Sequence, residues 1–358
     1  MKKAFFDIDW GLIAPVIVLV ILSLTTLFSI DISLFKSQFI FLIIGIFAFL
    51  FFSQTNYKTV KLYSVPIYII SIVLLFTVLV IGIESRGSVR WLELFGFRIQ
   101  FSEILKPFLA ISLSSFLSSN NNYSLRTLFF GSLFLIPVIF LVFLQPDLGN
   151  ALIYFMVTVF TFVVFGFPLR FLLSGLIFMS ILSPIVWKFL HDYQKHRILT
   201  FLNPNDPLGL SYNAIQSVIA VGSGMLFGRG LGLGTQSGLR FLPERHTDFI
   251  FATLSEELGI IGAILVTISF AFILYRIFII FLNQDDLFCK LFAIVAFSLI
   301  FFQFFINVGM NIGILPIVGI TLPFLSYGGS SLVSNFILLG ILSAMNSVGT
   351  SKKVLEIR

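Results

Sequence analysis

Long uninterrupted apolar runs are the feature that most restricts how this chain can fold. The stretches "GLIAPVIVLVILSLTTLFSI" (11–30) and "VPIYIISIVLLFTVLVIGI" (65–83) each supply the ~20 residues that a helix needs to cross a ~30 Å hydrocarbon layer. Further runs near 37–53, 104–118, 126–144, 150–167, 169–190, 248–280, 288–313 and 330–348 bring the total to about ten. Only helices or closed barrels satisfy every backbone polar group in lipid, and these runs lack the period-two alternation of barrel strands. The expected fold is an all-α, polytopic membrane protein of about ten transmembrane helices. Composition agrees, because 58% hydrophobic and 11% charged residues lie outside the range of water-soluble domains.

The start, "MKKAFFDIDWGLI", has the lysines of a signal peptide but no small-x-small cleavage site, so it reads as a retained first span. The chain is read as a single integral membrane domain over 1–358. An even number of spans puts both termini on one side, with Lys2, Lys3, Lys58, Lys61, Arg126, Arg170, Arg276, Lys290, Lys352, Lys353 and Arg358 in its short loops and ends, which makes that side cytoplasmic. As many basic residues fall on the other side, but most of them lie in the longer segments 84–106 and 188–247, which are translocated largely regardless of charge. Loop solubility or an anionic ligand such as a lipid headgroup would account for those outer arginines. One cysteine, Cys289, precludes an intramolecular disulfide, and three histidines without cysteine partners give no zinc pattern.

Segment 191–247 reads as one large extracytoplasmic loop, with "YNAIQSVIAVGSGMLFG" as an amphipathic or re-entrant helix inside it. "GRGLGLGTQSG" (228–238) is a poor nucleotide motif, since no strand precedes it and no Lys-Ser or Lys-Thr pair follows; tight turns are the simpler role for its glycines. Arg90 and Trp91 fall at the outer interface, Trp91 as an aromatic-belt anchor or a site residue. Glu103 and Lys106, three apart, share a helix face and can pair within the membrane. In "QPDLGNAL", Asp147 is placed to cap a helix. The segment 307–331, with Pro316, Pro323, Gly328 and Gly329, has a broken-helix pattern that survives at membrane depth only where it lines a cavity or is covered by protein.

"RFLPERHTDFIF" (240–251) gathers charge at the mouth of a span. If Asp248 begins that helix, Ala252, Ser255, Gly259 and Gly262 lie near its direction as a small-residue stripe, and Asp248 faces the bundle. Helix capping by Thr247 or Asp248 is the simpler alternative. Glu244, Arg245 and His246 could bind an anion and tune the carboxylate: desolvation would raise its pKa toward that of a general base and a nearby arginine would lower it. Glu256 and Glu257, deeper on the helix, read as structural.

These blocks, in the order "RW…QFSEILKPF", "QPDLGNAL", "HRILTFLNPNDPLGLSYNAIQSVIAVGSGMLFGRGLGLGTQSGLRFLPERHTDFIFATLSEELGIIG" and "GILPIVGITLPFLSYGGSS", resemble the SEDS family (shape, elongation, division and sporulation), its RodA branch more than its FtsW branch. The resemblance implies an enzyme of the bacterial cytoplasmic membrane that polymerises lipid II into peptidoglycan in cell-wall elongation and shape maintenance. It releases undecaprenyl diphosphate and works with a class B penicillin-binding protein; nucleic acid has no part. Asp248 matches the family's essential aspartate, Arg90 and Trp91 its outer-loop pair, and Glu103 and Lys106 its ion pair. Phe101 stands where the family usually has proline. With Asp248 as base, Arg90, Trp91, Glu103, Lys106, Arg197, Arg245 and His246 are the expected substrate contacts. No cofactor is required by the pattern, a divalent cation being an alternative source of positive charge for the leaving diphosphate. A lipid II flippase, which would also use broken helices and intramembrane charge, is the competing function.

Overall fold

Each predicted apolar run is helical. A computed structural model describes residues 9–85, 88–94, 96–120, 125–190, 192–202 and 211–356. Lys2, Lys3, Arg86 and residues 203–210 of the outer loop lie outside them. Helices α1 (Trp10–Ile30) and α2 (Ile32–Ser53) meet at Asp31, whose carboxylate caps α2 by accepting from Ser33 N at 2.7 Å. The short α3 (Tyr57–Leu62) leads into α4 (Ser64–Ile81).

The expected outer loop 84–106 is not irregular. It carries a three-stranded antiparallel sheet, β1 (Ile83–Ser85), β2 (Ser88–Leu94) and β3 (Phe97–Gln100), in the order β1-β2-β3, a departure from the all-α expectation. Trp91 pairs with Gln100 across β2 and β3, and Gly96, at φ 79°, turns between them.

Next come α5 (Phe101–Ile104) and α6 (Lys106–Ser119). Pro107 has no N–H for the Glu103 carbonyl, which accepts instead from Ser334 Oγ at 2.7 Å, so that carbonyl stays paired across the break between the two helices. Then follow α7 (Leu125–Leu144), α8 (Leu148–Phe165), α9 (Leu169–Phe189), α10 (Asp192–Leu202), α11 (Tyr212–Ser223), α12 (Thr235–Gly238), α13 (Ile250–Asn283), α14 (Leu287–Asn311) and α15 (Gly329–Glu356). Among the described residues, eight helices are long and apolar enough to cross a membrane; α5 with α6, and α9, fill the other two predicted runs.

Two polar clamps fix α1 against α13. At one end, Arg276 Nε donates to both Asp9 oxygens at 2.9 Å, and Asn346 Nδ2 of α15 donates to Asp9 Oδ2 at 2.9 Å. At the other, Ser29 Oγ donates to Glu257 at 2.7 Å. The clamps are ~20 residues apart along each helix, ~30 Å at ~1.5 Å per residue, close to the hydrocarbon thickness.

Helix α13 is two helices joined at Gly259 (φ 69°, ψ −163°). The break frees N–H and C=O groups, and residues 224–230 take them up: Ile260 N donates to Met225 O at 2.9 Å, Arg229 N to Glu256 O at 2.9 Å and Gly230 N to Glu257 O at 3.0 Å. A Cβ at Gly259 would collide with Gly228 N and sit in the left-handed region that L side chains avoid. Gly259→Ala is expected to destabilise the protein by roughly 1–3 kcal/mol. Thermal unfolding of the purified variant in detergent checks this, and an unchanged Tm would contradict it.

Candidate active site

Asp248 sits in the turn 243–249, two residues ahead of α13. Neighbouring elements staple that turn through its backbone. Asn307 and Asn311, one turn apart on α14, both donate to the Asp248 carbonyl, at 3.1 and 3.0 Å. Ser326 Oγ donates to Thr247 O at 2.7 Å, and Tyr327 N to His246 O at 2.8 Å. Asn307 also donates to Ile320 O at 2.6 Å, which holds the irregular segment after α14 against the same turn. Glu244 adopts a positive φ of 51°, an uncommon conformation that such bonding can hold in place.

Gly319 of that segment, at φ 75°, lies beside Asp248. A Cβ there would lie 3.3 Å from Asp248 Oδ2 and 3.5 Å from Arg197 Nη1, so the glycine marks the point where carboxylate and guanidinium converge. Asp248 is partly exposed, yet protein surrounds it. Burial pushes its pKa up from 3.8 to about 6, with Arg197 opposing, Glu244 adding to the rise, Arg90 opposing and Asp147 adding. A carboxylate poised there can accept a proton near neutral pH.

Arg90 arrives on β2, its Nη1 3.8 Å from Asp147 Oδ1. Asp147 caps α8 as expected, accepting from Asn150 N at 3.3 Å, but its buried carboxylate also accepts from Gln100 Nε2 at 2.8 Å, Ser102 Oγ at 2.9 Å and Asn150 Nδ2 at 2.9 Å. Its carboxylate is thus held in place beside Arg90. Phe101 opens α5, and Ser102 and Glu103 follow it into buried positions.

Beside Arg197 lies a cavity of about 620 Å³, lined by His196, Arg197 and Thr200 of α10, by Asn213, Ile215, Val218 and Ile219 of α11, and by Leu315, Pro316 and Ile317. The broken-helix segment therefore does line a cavity. Its wall is mainly apolar, with charge gathered at the Arg197 end.

The other predicted residues are distributed unevenly. The charges acting on Arg245 are Arg240, Glu257 and Asp31, which places its side chain toward the α1–α2 turn, and its role as a tuner of Asp248 passes to Arg197 and Arg90. The His246 ring lies 5.6 Å from that of Tyr327. Trp91 is partly buried in β2. Glu103 and Lys106 form the expected pair, 2.7 Å apart, but both are buried and neither lines the cavity. Glu256 and Glu257 accept hydrogen bonds from Gln236, Ser237, Gly232 and Ser29, in keeping with a structural role.

Three site residues escaped sequence reasoning. Asn307 and Asn311 carry only the signal of two amides spaced four apart on an apolar helix, and Gly319 only that of a glycine between prolines. Among the described residues, no group of three or more His, Cys, Asp or Glu side chains could hold a metal ion.

Comparison with known proteins matches residues 4–350 to the family described as cell cycle protein, FtsW/RodA/SpoVE. Peptidoglycan glycosyltransferase MrdB of Escherichia coli (strain K12) is 34% identical over 371 residues, covering 99% of this chain and 98% of that protein. Stage V sporulation protein E of Bacillus subtilis (strain 168) is 39% identical, covering 86% of this chain and 85% of that one. A solved structure described as "Structural coordination of polymerization and crosslinking by a peptidoglycan synthase complex" superposes with a TM-score of 0.84 at 29% identity, over 96% of this chain and 99% of that one. The crystal structure of Thermus thermophilus rod shape determining protein RodA gives a TM-score of 0.73 at 27% identity, over 96% and 97% of the two chains.

Proposed function

The chain belongs to the FtsW/RodA/SpoVE family of cell cycle proteins, and we infer that it is a membrane-embedded peptidoglycan glycosyltransferase that polymerises lipid II into glycan strands. End-to-end coverage of the MrdB relative, against 80% to 85% of the FtsW and sporulation relatives, supports the RodA branch, which serves elongation and cell shape. A class B penicillin-binding protein that cross-links the strands is the partner, in keeping with the synthase complex that this fold resembles. The enzyme sits in the bacterial cytoplasmic membrane as one integral domain over 1–358, with 191–247 as the large extracytoplasmic loop. Both termini are cytoplasmic. The Asp9, Arg276 and Asn346 clamp supports this, because it gathers the start of α1 and the far ends of α13 and α15 at the end opposite Asp248.

Asp248 is the general base. The observation that carries this role is its carboxylate, held against Gly319 and Arg197 beside the cavity, with a pKa raised to about 6. Lipid II carries an α-linked sugar diphosphate and the polymer linkage is β, so one in-line displacement with inversion suffices. The acceptor 4-hydroxyl oxygen bonds to the donor anomeric carbon while its proton passes to Asp248. The bond from that carbon to the diphosphate oxygen breaks, and its electron pair leaves with undecaprenyl diphosphate. An inverting glycosidase's base works by the same logic on water. Arg197 and Arg90 supply positive charge for the departing diphosphate, and the apolar wall of Ile215, Val218 and Ile219 suits its prenyl stem. Glu103 and Lys106 support the fold beneath the site.

A base must be deprotonated to act, so polymerisation by the purified protein is expected to fall as pH drops through about 6 and to level off above it. An acid limb near pH 4, where an ordinary aspartate titrates, would remove the raised pKa from the mechanism.

A further inference from the structure

The glycine-rich stretch 224–241 takes no part in this reaction, and neither do Glu256 and Glu257. Together they form one rigid strap. The Glu256 carboxylate accepts from Gln236 N and Ser237 N, each at 2.8 Å, and Glu257 accepts from Gly232 N at 2.9 Å. With the backbone bonds from Met225, Arg229 and Gly230 to α13, these clamp the strap onto the broken helix from both sides of Gly259. The close approach is possible only because Gly224 and Gly228 lack side chains: a Cβ on either would collide with the α13 backbone.

So firmly held a segment would be expected to turn its apolar side chains inward. It does the reverse: Met225 is 79% exposed, Phe227 79% and Leu233 71%, with Leu226, Leu231 and Leu239 also exposed. Such a patch is rare against water and marks a contact surface. Its depth identifies the contact. Gly232 is bonded to Glu257, which with Ser29 forms the outer of the two clamps, ~30 Å from the inner one at Asp9 and Arg276 and hence at the outer edge of the hydrocarbon. Exposed Arg229 and Arg240 lie in the same stretch, the mix of cations and large apolar side chains that seats a segment at an anionic lipid surface.

We propose that the strap 224–241 is a membrane-surface anchor: Met225, Phe227 and Leu233 enter the boundary between headgroups and acyl chains of the outer leaflet, and Arg229 and Arg240 meet lipid phosphates. Because the strap grips α13 at the break, the anchor fixes the height of Asp248, which lies beyond Glu257 toward the outside, above the bilayer. The bilayer is the occupant, and the anchor holds whatever reaction Asp248 performs.

The test uses the full chain in nanodiscs of phosphatidylethanolamine and phosphatidylglycerol, with an environment-sensitive fluorophore on Phe227→Cys and, separately, on Leu233→Cys. The parent chain gives the labelling background, its one cysteine, Cys289, being buried. Glu93→Cys on β2, an exposed position, is the aqueous control. Both strap labels are expected to emit blue-shifted light and to be quenched by lipids carrying a nitroxide near the headgroup, while iodide in the water quenches only the control. Iodide quenching of both strap labels equal to that of the control overturns the proposal. So does shielding that appears only when the class B partner is added, which would assign the patch to a protein.

Discussion

Lys106→Ala is expected to destabilise the protein by roughly 3–5 kcal/mol, the cost of stranding a buried charge. Lys106 Nζ lies 2.7 Å from Glu103 Oε1, and both side chains are buried. Gln303, with its amide turned so that the oxygen faces Lys106, accepts from the same ammonium at 2.8 Å. Glu103 Oε2 has no hydrogen-bond partner among the described residues, so losing the lysine leaves the carboxylate without its ion pair in a buried position. The double variant Glu103→Gln with Lys106→Met removes both charges and is expected to recover much of the loss, because a neutral buried pair escapes the desolvation penalty. Thermal unfolding and the yield of monodisperse protein in detergent check both. A single variant as stable as the parent, or a double variant no better than the single, would show that the pair does not hold the bundle together.

The helices were legible because span length is a property of sequence: runs of ~20 apolar residues have one way to satisfy their backbones in lipid. The β1–β2–β3 sheet was not, because its strands are three to seven residues long and mix charge with aromatics. Its one local cue, the alternation in "VRWLEL" before the Gly96 turn, is short. The Glu103 and Lys106 pair followed from spacing alone. Asp248 was expected to open its helix and to project along Ala252, Ser255, Gly259 and Gly262. Those four are buried, but the helix begins at Ile250 and breaks at Gly259, so a continuous 100° projection fails beyond the break. Proximity in sequence makes Arg245 a tuner of Asp248 and leaves Arg197 only a substrate contact, whereas in the fold Arg197 is the foremost charge acting on Asp248. Arg197 arrives from α10, about fifty residues away, and nothing in a single sequence encodes that approach. Asn307 and Asn311 are hidden for the same reason.

Asp248→Asn is expected to lower the rate of polymerisation by ~10²–10⁴, the usual contribution of a positioned general base. The amide keeps the shape of the carboxylate, so contacts with Gly319 and the backbone bonds from Asn307 and Asn311 are retained, and only proton acceptance is lost. Folding is not expected to suffer. A carboxylate whose pKa rises from 3.8 to about 6 on folding is destabilising when ionised: the folded state binds the proton more tightly, so stability falls as pH rises through that window and stays lowered above it. The neutral amide escapes this cost, and Asp248→Asn is expected to unfold at or above the parent Tm at neutral pH. A loss of rate with a gain in stability is the pattern of a group held ready for chemistry.

The most direct measurement incubates the purified full chain, reconstituted in lipid with its class B partner, with lipid II at neutral pH and resolves the glycan products by length, for the parent and for Asp248→Asn side by side. Long polymer from the parent and essentially none from an equally folded variant is the predicted result. Polymer formed by the variant at the parent rate would contradict the assignment of Asp248 as the base. A parent that moves lipid II between leaflets without joining it would contradict polymerisation itself.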